Sequence, residues 1–169
     1  RIIIILMEDY CLHLLNSKWT LWYHKSNDTD WSLESYIKLA TFSSIEEFSI
    51  VYNNLKPLHI QNSMLFVMRE GINPIWESEE NKDGGCFSFK IYRQDIFEAW
   101  NELSYLLIGE SILKEKNDFS CVNGISISPK KTFSIIKIWL KNHDNNEATK
   151  FNDIKKFSFL DAIYKKHVQ

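Results

Sequence analysis

Two tryptophans in polar loops carry the chemistry this sequence can offer. Trp76 stands in the run Asn73-Pro74-Ile75-Trp76-Glu77-Ser78-Glu79-Glu80-Asn81-Lys82-Asp83-Gly84-Gly85, and Trp31 follows Ser26-Asn27-Asp28-Thr29-Asp30. Pro74 and the Gly-Gly pair mark the first run as a loop between strands, and the Ser/Asn/Asp content does the same for the second. An indole in a polar loop either folds back onto the core or waits for something flat to cover its face. Two facing indoles can sandwich a heterocycle, stacking being worth about 1–3 kcal/mol per base, and they attract a cationic base more strongly. Glu77, next to Trp76, can accept two N–H bonds from one edge of such a base. Guanine presents that edge through N1–H and its exocyclic amine. The basic turn at Lys130 and Lys131 can hold attached phosphates by charge-assisted hydrogen bonds. The pieces suit a positively charged guanine with a phosphate tail.

Catalysis finds less support. There is no GxSxG elbow, no HExxH and no GxxxxGK[ST] loop. The five His are scattered, and the Glu46-Glu47 and Glu79-Glu80 pairs read as solvated faces, because acid–base work needs carboxylates that share a substrate. Cys11, Cys86 and Cys121 are odd in number and far apart, which argues against a zinc site and for reduced thiols in a cytoplasmic protein. A net charge of −2 excludes a broad phosphate-backbone glove, so any nucleic-acid binding should be local. Ile2–Met7 is apolar but too short to span a bilayer. Neither an enzyme nor a cofactor is expected, nor contact with a membrane.

At 169 residues the chain reads as one domain over residues 13–169, with residues 1–12 as a lead-in or edge strand. Strand alternation covers Lys18–His24, Tyr36–Phe42, Met64–Arg69, Phe87–Tyr92, Phe119–Ser128, Phe133–Leu140 and Phe159–Tyr164. Helical spacing covers Ser43–Leu55, capped by Ser43 or Ser44 and ended by Lys56-Pro57. It also covers Gln94–Ile108, with Ile96, Trp100, Leu103 and Leu107 on one stripe, and Glu147–Phe157. Short polar turns join the strands, which predicts an α+β fold: a mostly antiparallel sheet of about eight strands with three helices on one face.

These residues resemble the messenger-RNA cap-binding translation initiation factor 4E family, from about His13 to the C-terminus. The matching runs are Lys18-Trp19-Thr20-Leu21-Trp22-Tyr23, Ile45-Glu46-Glu47-Phe48, Gly71 to Glu77, Asn81 to Gly85, Leu107 to Ser111 and Ile136 to Trp139. All six tryptophans fall at family spacings. The resemblance implies a curved sheet with helices on its convex face and the cap in its concave face. It places Trp31 and Trp76 on the two faces of 7-methylguanine, Glu77 on the Watson–Crick edge, the Trp76 backbone N–H on the base oxygen, and Trp139 against the methyl group. Trp19, Trp22 and Trp100 match core positions.

The departures are specific. Cys86 stands where the family has an Arg near the phosphates. Lys130 matches a phosphate-binding Arg, while Ile135 replaces a phosphate-binding Lys and Lys137 lies two residues on, on the same strand face. The expected phosphate grip is therefore Lys130, Lys131 and Lys137. The family's partner-binding face maps onto His13, Leu14, Ile45, Ser49, Asn101, Glu102, Tyr105, Gly109 and Glu110, where it would take an initiation scaffold protein or an inhibitory binding protein. Ser49 replaces a Trp anchor, and losing a central anchor typically costs about 2 kcal/mol or more. The resemblance implies a monomer that binds capped mRNA for translation initiation. The alternatives are a cap-binding repressor homologue and a partner-binding module with weakened cap affinity.

Overall fold

The computed structural model describes residues 11–144 and 146–167. Its strands are β1 (Leu14–His24), β2 (Ile37–Ser44), β3 (Met64–Arg69), β4 (Gly85–Tyr92), β5 (Val122–Pro129), β6 (Phe133–Leu140) and β7 (Ile163–Lys166). They form one curved antiparallel sheet in the order β2-β1-β3-β5-β6-β4-β7. The helices are α1 (Ile45–Asn54), α2 (Pro57–Asn62) and α3 (Ile96–Ile108), with 3-10 turns at Leu33–Ser35, Lys116–Cys121 and Ala148–Lys150. Seven strands are described; the eighth, expected in residues 1–12, falls mainly on residues outside the described range.

Alternation sorts the sheet into two faces. Trp19 and Leu21 of β1, Leu65 and Val67 of β3, Ile125 and Ile127 of β5, and Ile136 and Ile138 of β6 face the helices. There they meet Phe48 and Tyr52 of α1 and Ile96, Trp100, Leu103 and Leu107 of α3. The Tyr52 hydroxyl donates to Ser104 Oγ at 2.7 Å, tying α1 to α3 through a buried polar contact. The opposite, open face carries a smaller cluster of Tyr36, Met64, Phe66, Met68 and Trp139, flanked by Trp22, Ile72 and Ile75. Trp19 and Trp100 are core residues as expected, whereas Trp22 packs on the open face beneath Lys38, whose Nζ is 5.3 Å from the ring centroid.

Local signals set most boundaries. Ser44 Oγ accepts the Glu47 N–H at 3.2 Å, and Glu47 reaches back to the Ser43 N–H at 2.7 Å, so α1 starts on a reciprocal cap. Pro57 does end α1, yet it also opens α2, since a proline at the first helical position gives up no bond the helix needs. The helix expected over Glu147–Phe157 does not form. Asn152 there donates its side-chain amide to the Ser111 and Leu113 carbonyls, and Phe151, Phe157 and Phe159 pack on Phe87 and Phe89 of β4. Those tertiary contacts outweigh a weak helical pattern.

Candidate functional site

The Trp76 loop, residues 73–84, is built around Asn81, which is fully buried. Its side-chain amide donates to the Asn73 carbonyl at 2.9 Å and the Ile75 carbonyl at 2.8 Å, and approaches Ser78 Oγ at 3.1 Å. Its side-chain oxygen accepts from Asn123 Nδ2 at 2.9 Å, which locks the loop to β5. The Asn81 carbonyl accepts from His167 Nδ1 at 2.7 Å, which locks it to the segment after β7. The loop ends at glycines because it must: a Cβ on Gly84 would run into the Leu140 carbonyl, and one on Gly85 would meet the Tyr164 hydroxyl. So anchored, the loop projects Trp76 with 43% of its surface exposed.

Beside Trp76 lies a pocket of about 200 Å³ lined by Trp76, Cys86, Lys137, Trp139, Lys165, Lys166 and His167. Trp139 is nearly buried in its wall. Its Nε1–H donates to Ser126 Oγ at 2.9 Å, which fixes the ring, and the His167 ring lies 5.1 Å away. Sheet register explains the grouping. Cys86 pairs with Trp139 on one side and Lys165 on the other, and Ser88 pairs with Lys137, so these side chains share the open face. Among the described residues Lys137, Lys165 and Lys166 join no ion pair. Lys137 and Lys165, on the open face, make the mouth of the pocket basic on a weakly acidic protein, whereas Lys166 alternates to the helix side with Tyr164. Burial pushes the Cys86 thiol up, with Lys137 and Lys165 acting against that shift.

Trp31 stands across the open face, 52% exposed, outside the pocket lining. One side of its indole lies flat on His24, with centroids 4.5 Å apart and planes at 5°. A line of rings joins it to the pocket: His24 to Tyr36 at 4.6 Å, Tyr36 to Phe66 at 5.3 Å, and Phe66 to Trp139 at 6.3 Å. Burial and the Glu77 carboxylate together push the Tyr36 phenol up to about 12, which puts Glu77 within electrostatic reach of that line. Neither Trp31 nor Trp76 turns into the interior.

Of the three lysines expected to hold phosphates, only Lys137 lines the pocket. Lys130 and Lys131 are exposed on the β5–β6 hairpin turn, and Ile135 faces the open side two residues before Lys137. Lys165, Lys166 and His167 also line it, and they are not among the residues that the sequence singles out. The basic run Tyr164-Lys165-Lys166-His167 was the available signal, but nothing local says that β7 pairs with β4.

The helix face holds a second, open groove of about 400 Å³ lined by Leu14, Leu15, Asn16, Ile45, Phe48, Ser49, Tyr105, Ile108 and Gly109. A neighbouring hollow is lined by Phe97, Glu98, Asn101, Glu102, Tyr105, Leu106 and Lys155. Leu14, Ile45 and Tyr105 are 75%, 48% and 56% exposed, so β1, α1 and α3 each leave an apolar side chain facing solvent there. His13 pairs with Glu46, and Glu110 accepts from Ser17 and Asn16 at the groove's edge. Ser49 donates its hydroxyl to the Ile45 carbonyl at 2.7 Å within its own helix.

Comparison with known proteins agrees with this geometry. The family model for eukaryotic initiation factor 4E matches residues 14–167. A Candida albicans eukaryotic translation initiation factor 4E is 32% identical over 167 residues, covering 88% of this chain and 78% of that protein. The Saccharomyces cerevisiae protein of the same name is 34% identical over 78% of this chain but only 63% of its own length, and the human one 31% identical over 83% and 66%. A schistosome initiation factor 4E, solved with m7GpppG and 4E-BP, superposes with a TM-score of 0.71 at 27% identity, covering 81% of this chain and 76% of that one. An Ascaris suum homologue solved with an m7G cap shares the fold at the same TM-score of 0.71. By its family model and by these relatives, this chain belongs to the eukaryotic initiation factor 4E family.

Proposed function

We propose that this chain binds the 7-methylguanosine cap of messenger RNA and recruits capped messages to translation initiation. The observation that supports it most is the pocket in which Trp76 stands beside an immobilised Trp139, with lysines at its mouth. The methylated base enters against Trp76, Trp31 covers its other face, Glu77 takes N1–H and the exocyclic amine, and Trp139 meets the methyl group. A pocket of about 200 Å³ is below the usual ~300–1,000 Å³ for small-molecule sites, in keeping with one wall, Trp31, standing outside it. The cap's phosphates leave over Lys137 and Lys165, in place of the hairpin lysines Lys130 and Lys131. The role is binding rather than catalysis, exercised by a cytoplasmic monomer through the domain at residues 13–169.

The groove on the helix face suits a binding partner such as the 4E-BP with which the schistosome relative was solved. Ser49 favours a second reading. With its hydroxyl bonded inside α1, Ser49 gives the groove no indole where the family resemblance implies a Trp anchor, leaving Phe48 and Tyr105 as its aromatic lining. A protein that holds caps while recruiting a scaffold weakly would act as a repressor. Titrating intrinsic tryptophan fluorescence with 7-methylguanosine diphosphate and with guanosine diphosphate tests the main reading. A strong preference for the methylated nucleotide is expected, and equal quenching would remove the charge argument. Competing scaffold and inhibitor peptides in pull-downs separates the two roles.

A further inference from the structure

We infer that His24 is a positioning residue for Trp31: a buried flat platform that presets the indole and leaves only its outer face open to a base. The inference rests on the reading of Trp31 as one wall of the base site. His24 is the last residue of β1 and is wholly buried, although Trp31, which covers it, is half exposed. The near-parallel rings, with centroids 4.5 Å apart, are stacked face to face with a lateral offset. Tyr36 supports the imidazole at 4.6 Å and 50°.

The same ring also holds the loop. His24 Nε2 lies 2.8 Å from the Asp30 carbonyl, and since a carbonyl only accepts, Nε2 carries the proton. Asp30 immediately precedes Trp31. Two further turns stiffen this point: Asp28 accepts the Asp30 N–H at 3.0 Å, and the Asp30 carboxylate accepts the Ser32 N–H at 2.9 Å. The ring thus meets the indole and the backbone just before it.

One atom argues that stability alone does not explain this residue. His24 Nδ1 is buried and has no hydrogen-bond partner. Buried polar atoms are ordinarily satisfied, and an exception calls for a reason. A hydrocarbon ring would fill the space without an orphaned nitrogen, but it would not hold the Asp30 carbonyl. The consequence is pre-organisation. An indole already held flat loses less freedom when a base stacks on it.

The test titrates 7-methylguanosine diphosphate by fluorescence on His24→Leu, His24→Met and His24→Phe, each in wild-type and Trp31→Ala backgrounds. Melting temperatures are recorded alongside. Leucine and methionine keep apolar bulk without a flat face, so each should weaken binding about fivefold to tenfold. Phenylalanine restores the flat face but not the bond to the Asp30 carbonyl, so it should recover most of the affinity that leucine and methionine lose and bind within about threefold of wild type. In the Trp31→Ala background none of the three should change affinity further, because His24 acts through Trp31. The proposal is overturned if leucine and methionine bind as wild type, if phenylalanine fails to rescue, or if the losses persist without Trp31. If Trp31→Ala alone leaves binding unchanged, the base-site reading of Trp31 is what fails. Two aliphatic variants are used so that one poorly folded protein does not decide the result.

Discussion

Replacing Asn81 with alanine should detach the Trp76 loop while leaving the sheet intact. The Asn81 side chain makes two firm donations, to Asn73 and Ile75, and one acceptance, from Asn123. At about 1 kcal/mol net for each bond, the three come to roughly 3 kcal/mol. That is a sizeable part of the 5–15 kcal/mol typical of a whole domain. Asn123 keeps a second acceptor in the Glu80 carbonyl at 2.7 Å, so the damage falls mainly on the loop. If all of it is drawn from binding, affinity for 7-methylguanosine diphosphate drops by about a hundredfold, since each 1.4 kcal/mol is tenfold. Asn81→Asp should be worse at neutral pH, because it aims a carboxylate at two carbonyl oxygens. A carboxyl so placed has its folded pKa raised, so its stability is present in acid and lost as pH rises. Fluorescence titration and thermal melts across pH measure both effects. Wild-type affinity in Asn81→Ala would refute the idea that this amide positions the loop, and an Asn81→Asp protein that gains stability with rising pH would refute the electrostatic reasoning.

Other perturbations test the remaining parts of the site. Glu77→Ala should weaken methylated and unmethylated guanine alike by about tenfold to a hundredfold, the range for a lost hydrogen bond to a charged group; unchanged affinity in titration would mean Glu77 does not read the edge. Lys137→Ala combined with Lys165→Ala should weaken the diphosphate by about tenfold at low salt and flatten its salt dependence. Lys130→Ala with Lys131→Ala should do neither, and a reversed outcome would restore the hairpin as the phosphate grip. Ser49→Trp should tighten a 4E-BP peptide by about thirtyfold, the equivalent of a regained anchor worth about 2 kcal/mol, as read by calorimetry. Burial, opposed by the bond to Asn81 and joined by the Lys137 and His143 charges, holds His167 below the ordinary histidine range. A depressed histidine pKa gives stability that is present above its unfolded value and lost as pH falls through the folded one. His167 should therefore titrate late in an NMR acid titration, and the β7 segment should loosen with it; a midpoint above the free-histidine value would contradict this.

The sequence determined the chemistry and most of the elements. Trp31 and Trp76 are legible as indoles left exposed on loops, because a polar loop has few structural uses for an indole, and Glu77 follows one of them. β3 and β6 matched residue for residue, since their alternation is strong and their ends are marked by turns. α1 and α3 were legible from their caps and stripes. The failures share one cause. Glu147–Phe157 has a helical pattern, but its Asn152 and its phenylalanines are claimed by residues about forty to seventy positions away in the chain.

What only the tertiary structure decided is which residues meet across the open face. Pairing of β7 with β4 puts Lys165 opposite Cys86, and so supplies the pocket with cations that a reading along the chain placed on the hairpin. The fold likewise set His24 beneath Trp31 and Asn81 inside the loop it secures. Local sequence fixes what a side chain can do and which way it alternates. Which distant strand lies alongside is settled by packing the whole sheet against its helices, and that information is spread over every residue of the core.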